Sequence, residues 1–219
     1  MPRDKTNPSK DFHKKIRNLL DTQKYNEIID SIRTFAESGV TILPDTIANV
    51  LANFHNIFSD DSRDVITKNV DYLLSLIEVE NYTELIYTSL IKIYADCAPV
   101  FLKYYELMKK NGIPVKRRTI APIFKFSDTY SFQFFNEAKV QGVPLTIEDY
   151  CNILGHLTGE SQDFLRSMVI EDMVMNVKGP ISTDNSHHLQ MSLGITSDSG
   201  EIVDAPPEFN LNKKDKEKM

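Results

Sequence analysis

Apolar residues recur every three or four positions through most of this chain, and that spacing is typical of amphipathic helices. The pattern predicts ten short helices, at residues 12–22, 24–37, 45–54, 62–77, 84–95, 98–110, 117–127, 130–141, 147–157 and 160–177. Before residue 180, no stretch shows the alternation of apolar and polar residues that is typical of a strand. The sequence therefore predicts an all-α chain with short connections between its helices.

One short phrase occurs three times: a glycine ends a predicted helix, apolar residues follow, and a new helix begins about seven residues later. The glycines are Gly39, Gly112 and Gly142. A helix start at Ile86–Ile91 fits the same register without a glycine. The apolar anchors of the four helices lie 40, 33 and 30 residues apart, at Ile47, Tyr87, Ile120 and Tyr150. This period is typical of stacked helical hairpins, so residues 12–177 are predicted to form an α-solenoid of four to five hairpins.

Residues at the predicted helix ends support these boundaries. Asp45 and Thr83 are predicted N-caps, because their side chains can accept hydrogen bonds from the first backbone amides of a helix. Pro99 lies in a predicted first turn, where proline is tolerated. Residues 1–11 are expected to be flexible, and residues 178–219 are expected to form an irregular tail with a disordered end. Two strand-like stretches in that tail are candidates for a small hairpin, at Leu189–Leu193 and Glu201–Asp204.

The distribution of charge changes what the overall acidity implies. The chain carries 25 Lys and Arg against 31 Asp and Glu, a formal net charge of −6, which argues against a generally basic nucleic-acid-binding protein. Residues 1–150 are nearly balanced, with 19 basic and 20 acidic side chains, so the acidity is concentrated after residue 150. Residues 103–125 hold seven basic residues and one acid, Glu106. This positive patch is the best candidate for contacts with phosphate groups.

Several function classes find no support in the sequence. No apolar run approaches the roughly 20 residues of a membrane helix, and the N-terminus resembles no secretory signal. Cys97 and Cys151 are far apart, so we expect a reduced intracellular protein rather than a disulfide scaffold. No phosphate-binding glycine loop, nucleophile–base motif or zinc spacing is found. The acids at Asp60–Asp64 are interpreted as favourable charges at a helix N-terminus, and His187–His188 as an exposed pair.

Two segments resemble pentatricopeptide repeats. Ile86–Ala95 looks like the first helix of such a repeat, and Tyr104–Pro114 looks like the second helix and its exit. Gly112–Ile123, which reads Gly-Ile-Pro-Val-Lys-Arg-Arg-Thr-Ile-Ala-Pro-Ile, is similar to a stretch in the repeat domain of protein-only ribonuclease P. The hairpin that ends in Gly142–Tyr150 also fits that family. The resemblance covers roughly residues 10–175 and is sharpest over residues 84–157.

The resemblance implies a role in removing the 5′ leader of precursor tRNA. In that family a zinc-bearing connector and a metallonuclease domain follow the repeats. Leu193–Glu201 resembles the Gly-x-Cys-x-x-Cys-Gly phrase of the connector, but Thr196 and Ser199 stand where its cysteines should be, so no zinc is expected. No catalytic residue is predicted, so we expect this chain to bind RNA without cleaving it. A longer gene product would be an endoribonuclease that uses a divalent metal such as Mg²⁺.

The predicted RNA-binding residues follow from the positive patch and from the resemblance. Phosphate contacts are assigned to Lys110, Lys116, Arg117, Arg118 and Lys125. In pentatricopeptide repeats a residue early in each first helix faces a base, and the register places Ala48, Thr88, Ala121 and Cys151 there. Only Thr88 resembles a base-reading residue. Recognition of folded precursor tRNA by shape and phosphate geometry is therefore expected.

Other interpretations stay open on the sequence alone. The positive patch also fits a solvated loop, and the base-facing positions also fit helix packing. Candidates for base stacking are Tyr25, Tyr104, Tyr105 and Tyr130, although aromatic residues at helical spacing are more often core, and His156 is expected to be a partly buried interface residue. The chain also fits a protein-interaction scaffold, or a module whose protein partner supplies the nuclease. The expected compartment is the nucleus or cytoplasm, with the mitochondrion an open alternative.

Overall fold

The computed structural model describes residues 7–58 and 61–177, and these residues form helices, turns and loops without a strand. The helices are α1 Pro8–Asp21, α2 Ile28–Glu37, α3 Pro44–Ala52, α4 Phe54–Ile57, α5 Arg63–Ser75, α6 Glu84–Ile93, α7 Ala98–Lys110, α8 Arg117–Phe126, α9 Ser131–Val140, α10 Ile147–His156 and α11 Asp163–Asn176. Short 3-10 turns occur at Tyr25–Glu27, Val79–Asn81 and Glu160–Gln162. The prediction of an all-α chain is confirmed for the described residues.

Several predicted helices differ in detail from the helices observed. The first begins at Pro8 rather than at residue 12, so residues 8–11 of the segment expected to be flexible are helical, and the short helix α4 was not predicted. The helix expected from residue 24 begins with the 3-10 turn, and α2 starts at Ile28. The prediction that Asp45 caps α3 is wrong, because Leu43 is the N-cap residue and Asp45 lies in the first turn. Pro44 occupies the first helical position, where its fixed φ fits the helix and its missing amide hydrogen costs nothing. The strand-like tail stretches lie outside the described residues.

The repeated glycines end their helices in one shared geometry. Gly112 and Gly142 have φ of +70° and +65°, in the left-handed region that glycine adopts without strain. The amide of Ile113 donates to Met108 O at 3.1 Å, and the amide of Val143 donates to Ala138 O at 2.8 Å. Each glycine amide also donates to the carbonyl three residues back, which completes a Schellman motif. The glycine signal in the sequence therefore marks real helix ends.

Polar side chains cap the N-termini of α6 and α10. Thr83 accepts a hydrogen bond from the amide of Ile86 at 3.4 Å, which confirms its predicted role as the N-cap of α6. Thr146 caps α10 through a reciprocal arrangement with Asp149, whose carboxylate accepts from the amide of Thr146 at 2.8 Å. Such a capping box satisfies two backbone donors that would otherwise lack partners.

The chain divides into two compact units, and the first ends at Pro114. In this unit α1 packs on α2 and α3, α3 packs on α6, and α6 pairs with α7. Phe12 and Phe35 stack with ring centroids 3.8 Å apart between α1 and α2. The fully buried core side chains include Ile16, Ile28, Ile47, Tyr87, Phe101 and Tyr105.

The second unit begins at Val115 and contains two helical hairpins. In this unit α8 pairs with α9, α10 pairs with α11, and α8 lies against α10. Its core is strongly aromatic, with Phe124, Phe134, Phe135 and Tyr150 each at most 1% exposed. Burial of four such rings contributes several kcal/mol, since each fully buried apolar side chain is worth roughly 1.5–3 kcal/mol.

Polar contacts repeat the sequence period within each unit. Five of them join residues 32 or 33 positions apart: Ser9 with Thr41, His13 with Thr46, Arg63 with Asp96, Arg117 with Asp149, and His156 with Phe124. These contacts link one hairpin to the next, so the described fold is repeat-like, as the spacing of the apolar anchors predicts. No helix within the described ranges is long and apolar enough to cross a membrane.

Candidate nucleic-acid interface

The predicted phosphate-binding residues fall in both units. Lys110 is the last residue of α7 in the first unit, and it is exposed. In the second unit Lys116 is the N-cap residue of α8, and it is exposed as well. Lys109, a further member of the positive patch, forms an ion pair with Glu106 at 3.6 Å. The remaining three predicted residues belong to α8, so this helix carries most of the candidate site.

One face of α8 is cationic and exposed while the other is apolar and buried. Arg118 and Lys125 are seven residues apart, which places them on one face of the helix about 10 Å apart along its axis. The small residues Ala121 and Pro122 lie between them and are half-buried. We call these four residues the α8 ridge. The opposite face is fully buried, and it consists of Thr119, Ile120, Ile123 and Phe124.

Arg117 does not join the ridge, because its guanidinium is bound to α10. Its Nε donates to Asp149 Oδ2 at 2.5 Å, and its Nη2 donates to Asp149 Oδ1 at 3.1 Å. A third hydrogen bond, of 2.9 Å, runs from Nη2 to the hydroxyl of Thr146. Asp149 is only 1% exposed, and the hydrogen bond to it raises the pKa of Arg117 above its ordinary value. Arg117 therefore ties the start of α8 to the start of α10.

A second polar contact joins the other ends of the same two helices. His156 Nε2 lies 2.8 Å from the carbonyl oxygen of Phe124, and its Nδ1 lies 2.6 Å from a carboxylate oxygen of Asp128. His156 is half-buried, in agreement with its expected role as a partly buried interface residue. The Arg117 and His156 contacts hold α8 against α10 at both ends, so the ridge belongs to a fixed surface.

The four positions expected to face bases are poorly accessible. Ala48 and Cys151 are 2% and 1% exposed, and Thr88 is 9% exposed. Burial raises the pKa of the Cys151 thiol to about 11, so the thiol is neutral. Ala121 is half-buried on the α8 ridge. Base reading by Thr88 stays a prediction, and the burial of Ala48, Thr88 and Cys151 leaves little of these side chains accessible to a ligand.

The predicted stacking residues are buried or half-buried, and an exposed aromatic ring that was not predicted lies beside the ridge. Tyr104 and Tyr105 are buried, as aromatic residues at helical spacing usually are, while Tyr25 and Tyr130 are half-buried. Phe126, the last residue of α8, is 49% exposed. The ammonium nitrogen of Lys125 lies 5.5 Å from the centroid of its ring. The sequence analysis missed Phe126, although an aromatic residue directly after a basic one at the end of a basic helix was a visible signal.

The described residues contain no group of three or more His, Cys, Asp and Glu side chains that could hold a metal ion. Thr196, Ser199 and His187–His188 lie outside them. No family model matches the chain, and no curated protein matches it either. The resemblance to protein-only ribonuclease P therefore rests on the residues quoted above, and the geometry of α8 has to carry the functional argument.

Proposed function

We propose that this chain is an RNA-binding helical-repeat module that contacts phosphates through the α8 ridge. The observation that carries the proposal is the pair of exposed cations, Arg118 and Lys125, on a single face of a helix that is buried on its other side. The small side chains of Ala121 and Pro122 leave room for a nucleic-acid backbone between the two cations. Cations presented together on a rigid element are what phosphate binding needs.

The acids around the ridge are partly engaged with other groups of the second unit, although Asp128 and Glu148 are exposed. No acidic residue occurs between Lys116 and Ser127. Two acids of the neighbouring helices are buried and paired, since Asp149 binds Arg117 at 2.5 Å and Asp172 binds Lys139 at 2.7 Å. Their charges are therefore neutralised inside the unit, and the local potential along α8 is more positive than the net charge of the chain suggests.

The architecture in this proposal is an α-solenoid of pentatricopeptide-type hairpins. The polar contacts with an offset of 32 or 33 residues support it, because each repeat of a solenoid contacts the next one in an equivalent way. The proposed ligand is precursor tRNA, as the resemblance to protein-only ribonuclease P implies. The chain would recognise the phosphate positions and the shape of this RNA, and Lys110, Lys116 and Thr88 would make further contacts with it. A longer gene product or a protein partner would supply the metal-dependent cleavage.

Fluorescence anisotropy of labelled precursor tRNA tests the proposal. We expect the double variant Arg118→Ala, Lys125→Ala to bind roughly tenfold more weakly than the wild type, from about 0.7 kcal/mol per exposed contact. The matched control is Lys14→Ala, Arg17→Ala, which removes the same charge from two exposed positions of α1, and its affinity should change less than about twofold. Equal losses in both double variants would contradict a site on α8.

A second candidate function, protein binding, is favoured by one observation on α11. Phe164 and Met175 are 74% and 68% exposed, and a separation of eleven residues places them on one face of the helix. Exposed apolar side chains on one face of a helix are a candidate contact for a protein partner. The anisotropy experiment separates the two functions. A folded chain that binds no RNA would favour protein binding through Phe164 and Met175 of α11.

A further inference from the structure

The ring of Phe126 lies at the end of the α8 ridge, where an RNA bound to the ridge would meet it. Phe126 directly follows Lys125 in the last turn of α8, and its side chain is 49% exposed. The other large apolar side chains of this helix, Ile120, Ile123 and Phe124, are completely buried. Phe126 therefore adds an aromatic surface to a row of cations without being needed in the core.

We propose that Phe126 stacks on an unpaired base while Arg118 and Lys125 contact the phosphates that flank it. This inference rests on the proposed RNA-binding function and names the class of RNA that the ridge takes, a single-stranded segment. Inside a duplex the faces of the bases are covered by their neighbours, so a ring on the protein surface can stack only on an unpaired base or at a duplex end. Base–aromatic stacking combined with a cationic row is the usual arrangement for binding single strands.

Lys125 contributes to this arrangement in two ways. Its ammonium nitrogen lies 5.5 Å from the ring centroid of Phe126, a distance at which the cation is attracted to the ring. The same ammonium keeps donors for a phosphate oxygen, because it carries three N–H donors and its attraction to one ring does not occupy all of them. A base on Phe126 would therefore have a phosphate-binding group beside it.

The absence of tryptophan from the chain allows stacking to be observed directly. The variant Phe126→Trp places one indole at the end of the ridge, and a stacked base should quench its fluorescence. We expect quenching by a short single-stranded oligouridine or oligoadenosine, and much less by a long RNA duplex, which exposes base faces only at its two ends. The matched control is Phe164→Trp, at an exposed position on α11, whose fluorescence should be unaffected by either RNA.

Affinity measurements complete the test. Phe126→Ala and Phe126→Leu should each weaken binding of the single strand roughly five- to hundredfold, with an unchanged urea midpoint of unfolding. Phe126→Leu keeps an apolar side chain, so a loss in this variant too assigns the effect to the aromatic ring. RNA binding that depends on Arg118 and Lys125, but is unchanged in both Phe126 variants and unquenched in Phe126→Trp, would overturn stacking and leave the proposed function intact. No RNA binding by the wild type would overturn both.

Discussion

Arg117 and Arg118 are neighbours in the sequence, and the structure gives them different roles. Arg117→Ala removes the guanidinium that binds the buried carboxylate of Asp149, whereas Arg118→Ala removes an exposed cation of the α8 ridge. We therefore expect Arg117→Ala to reduce the free energy of unfolding and Arg118→Ala to reduce RNA affinity. The two substitutions delete the same side chain from adjacent positions, so each serves as the control for the other.

The expected loss of stability in Arg117→Ala follows from the burial of the two partners. Removing one member of a fully buried ion pair costs about 3–5 kcal/mol. The Arg117 side chain is 38% exposed, so solvent screens part of that loss. Asp149 also keeps its hydrogen bonds with the amide and the hydroxyl of Thr146, at 2.8 and 2.9 Å. A loss of about 2 kcal/mol is therefore expected for Arg117→Ala, and less than about 0.5 kcal/mol for Arg118→Ala.

Urea unfolding followed by circular dichroism measures this difference. With a denaturant slope of about 2 kcal/mol per molar urea, the midpoint of Arg117→Ala should fall by about 1 M. At a temperature where it is folded, Arg117→Ala should bind precursor tRNA almost as well as the wild type. Equal midpoints for the two variants, or a larger loss of RNA affinity in Arg117→Ala than in Arg118→Ala, would refute the assignment.

Two further predictions concern the fold itself. Gly142→Ala should lower stability by about 1 kcal/mol, because φ is +65° there although an added Cβ meets nothing within 4 Å. Gly155→Ala, in the last turn of α10, should instead raise stability, and a loss in both variants would contradict the backbone argument. Burial raises the pKa of Tyr104 to about 12, so between pH 10 and 12 the unfolded chain releases a phenol proton that the folded chain keeps. The free energy of unfolding should therefore fall as the pH rises from 10 through 12. In Tyr104→Phe this fall should be about 2 kcal/mol smaller than in the wild type. Urea midpoints with the same pH dependence in both proteins would contradict this prediction.

The helix boundaries of this chain can be predicted from the sequence because the residues that begin and end a helix act on backbone groups only a few positions away. Gly112 and Gly142 end helices through hydrogen bonds that reach only five residues back, and Thr83 caps α6 from three residues away. The capping box of Thr146 and Asp149 is equally local, since it corresponds to a Thr-x-x-Asp phrase in the sequence. Asp45 is not the N-cap of α3 because Pro44 occupies the first helical position, and a proline there decides the boundary.

The roles within the candidate site could not be predicted in the same way. Arg117 and Arg118 carry the same charge and differ by about 100° around the helix, and only the position of α10 decides which of them meets Asp149. The exposure of Phe126 similarly depends on tertiary packing, since Phe124 in the same turn is fully buried. Sequence reasoning identified the basic helix, but the division between structural and ligand-facing residues needed the packed hairpins.

A salt titration of precursor tRNA binding by the folded wild-type chain tests the central claim most directly. If the α8 ridge contacts phosphates, the logarithm of the binding constant should fall linearly with the logarithm of the salt concentration. Arg118→Ala, Lys125→Ala should make that slope shallower by about 1.4, which corresponds to two lost phosphate contacts on a single strand. Absence of binding at low salt, or a slope that is the same in the double variant as in the wild type, would contradict RNA binding through α8.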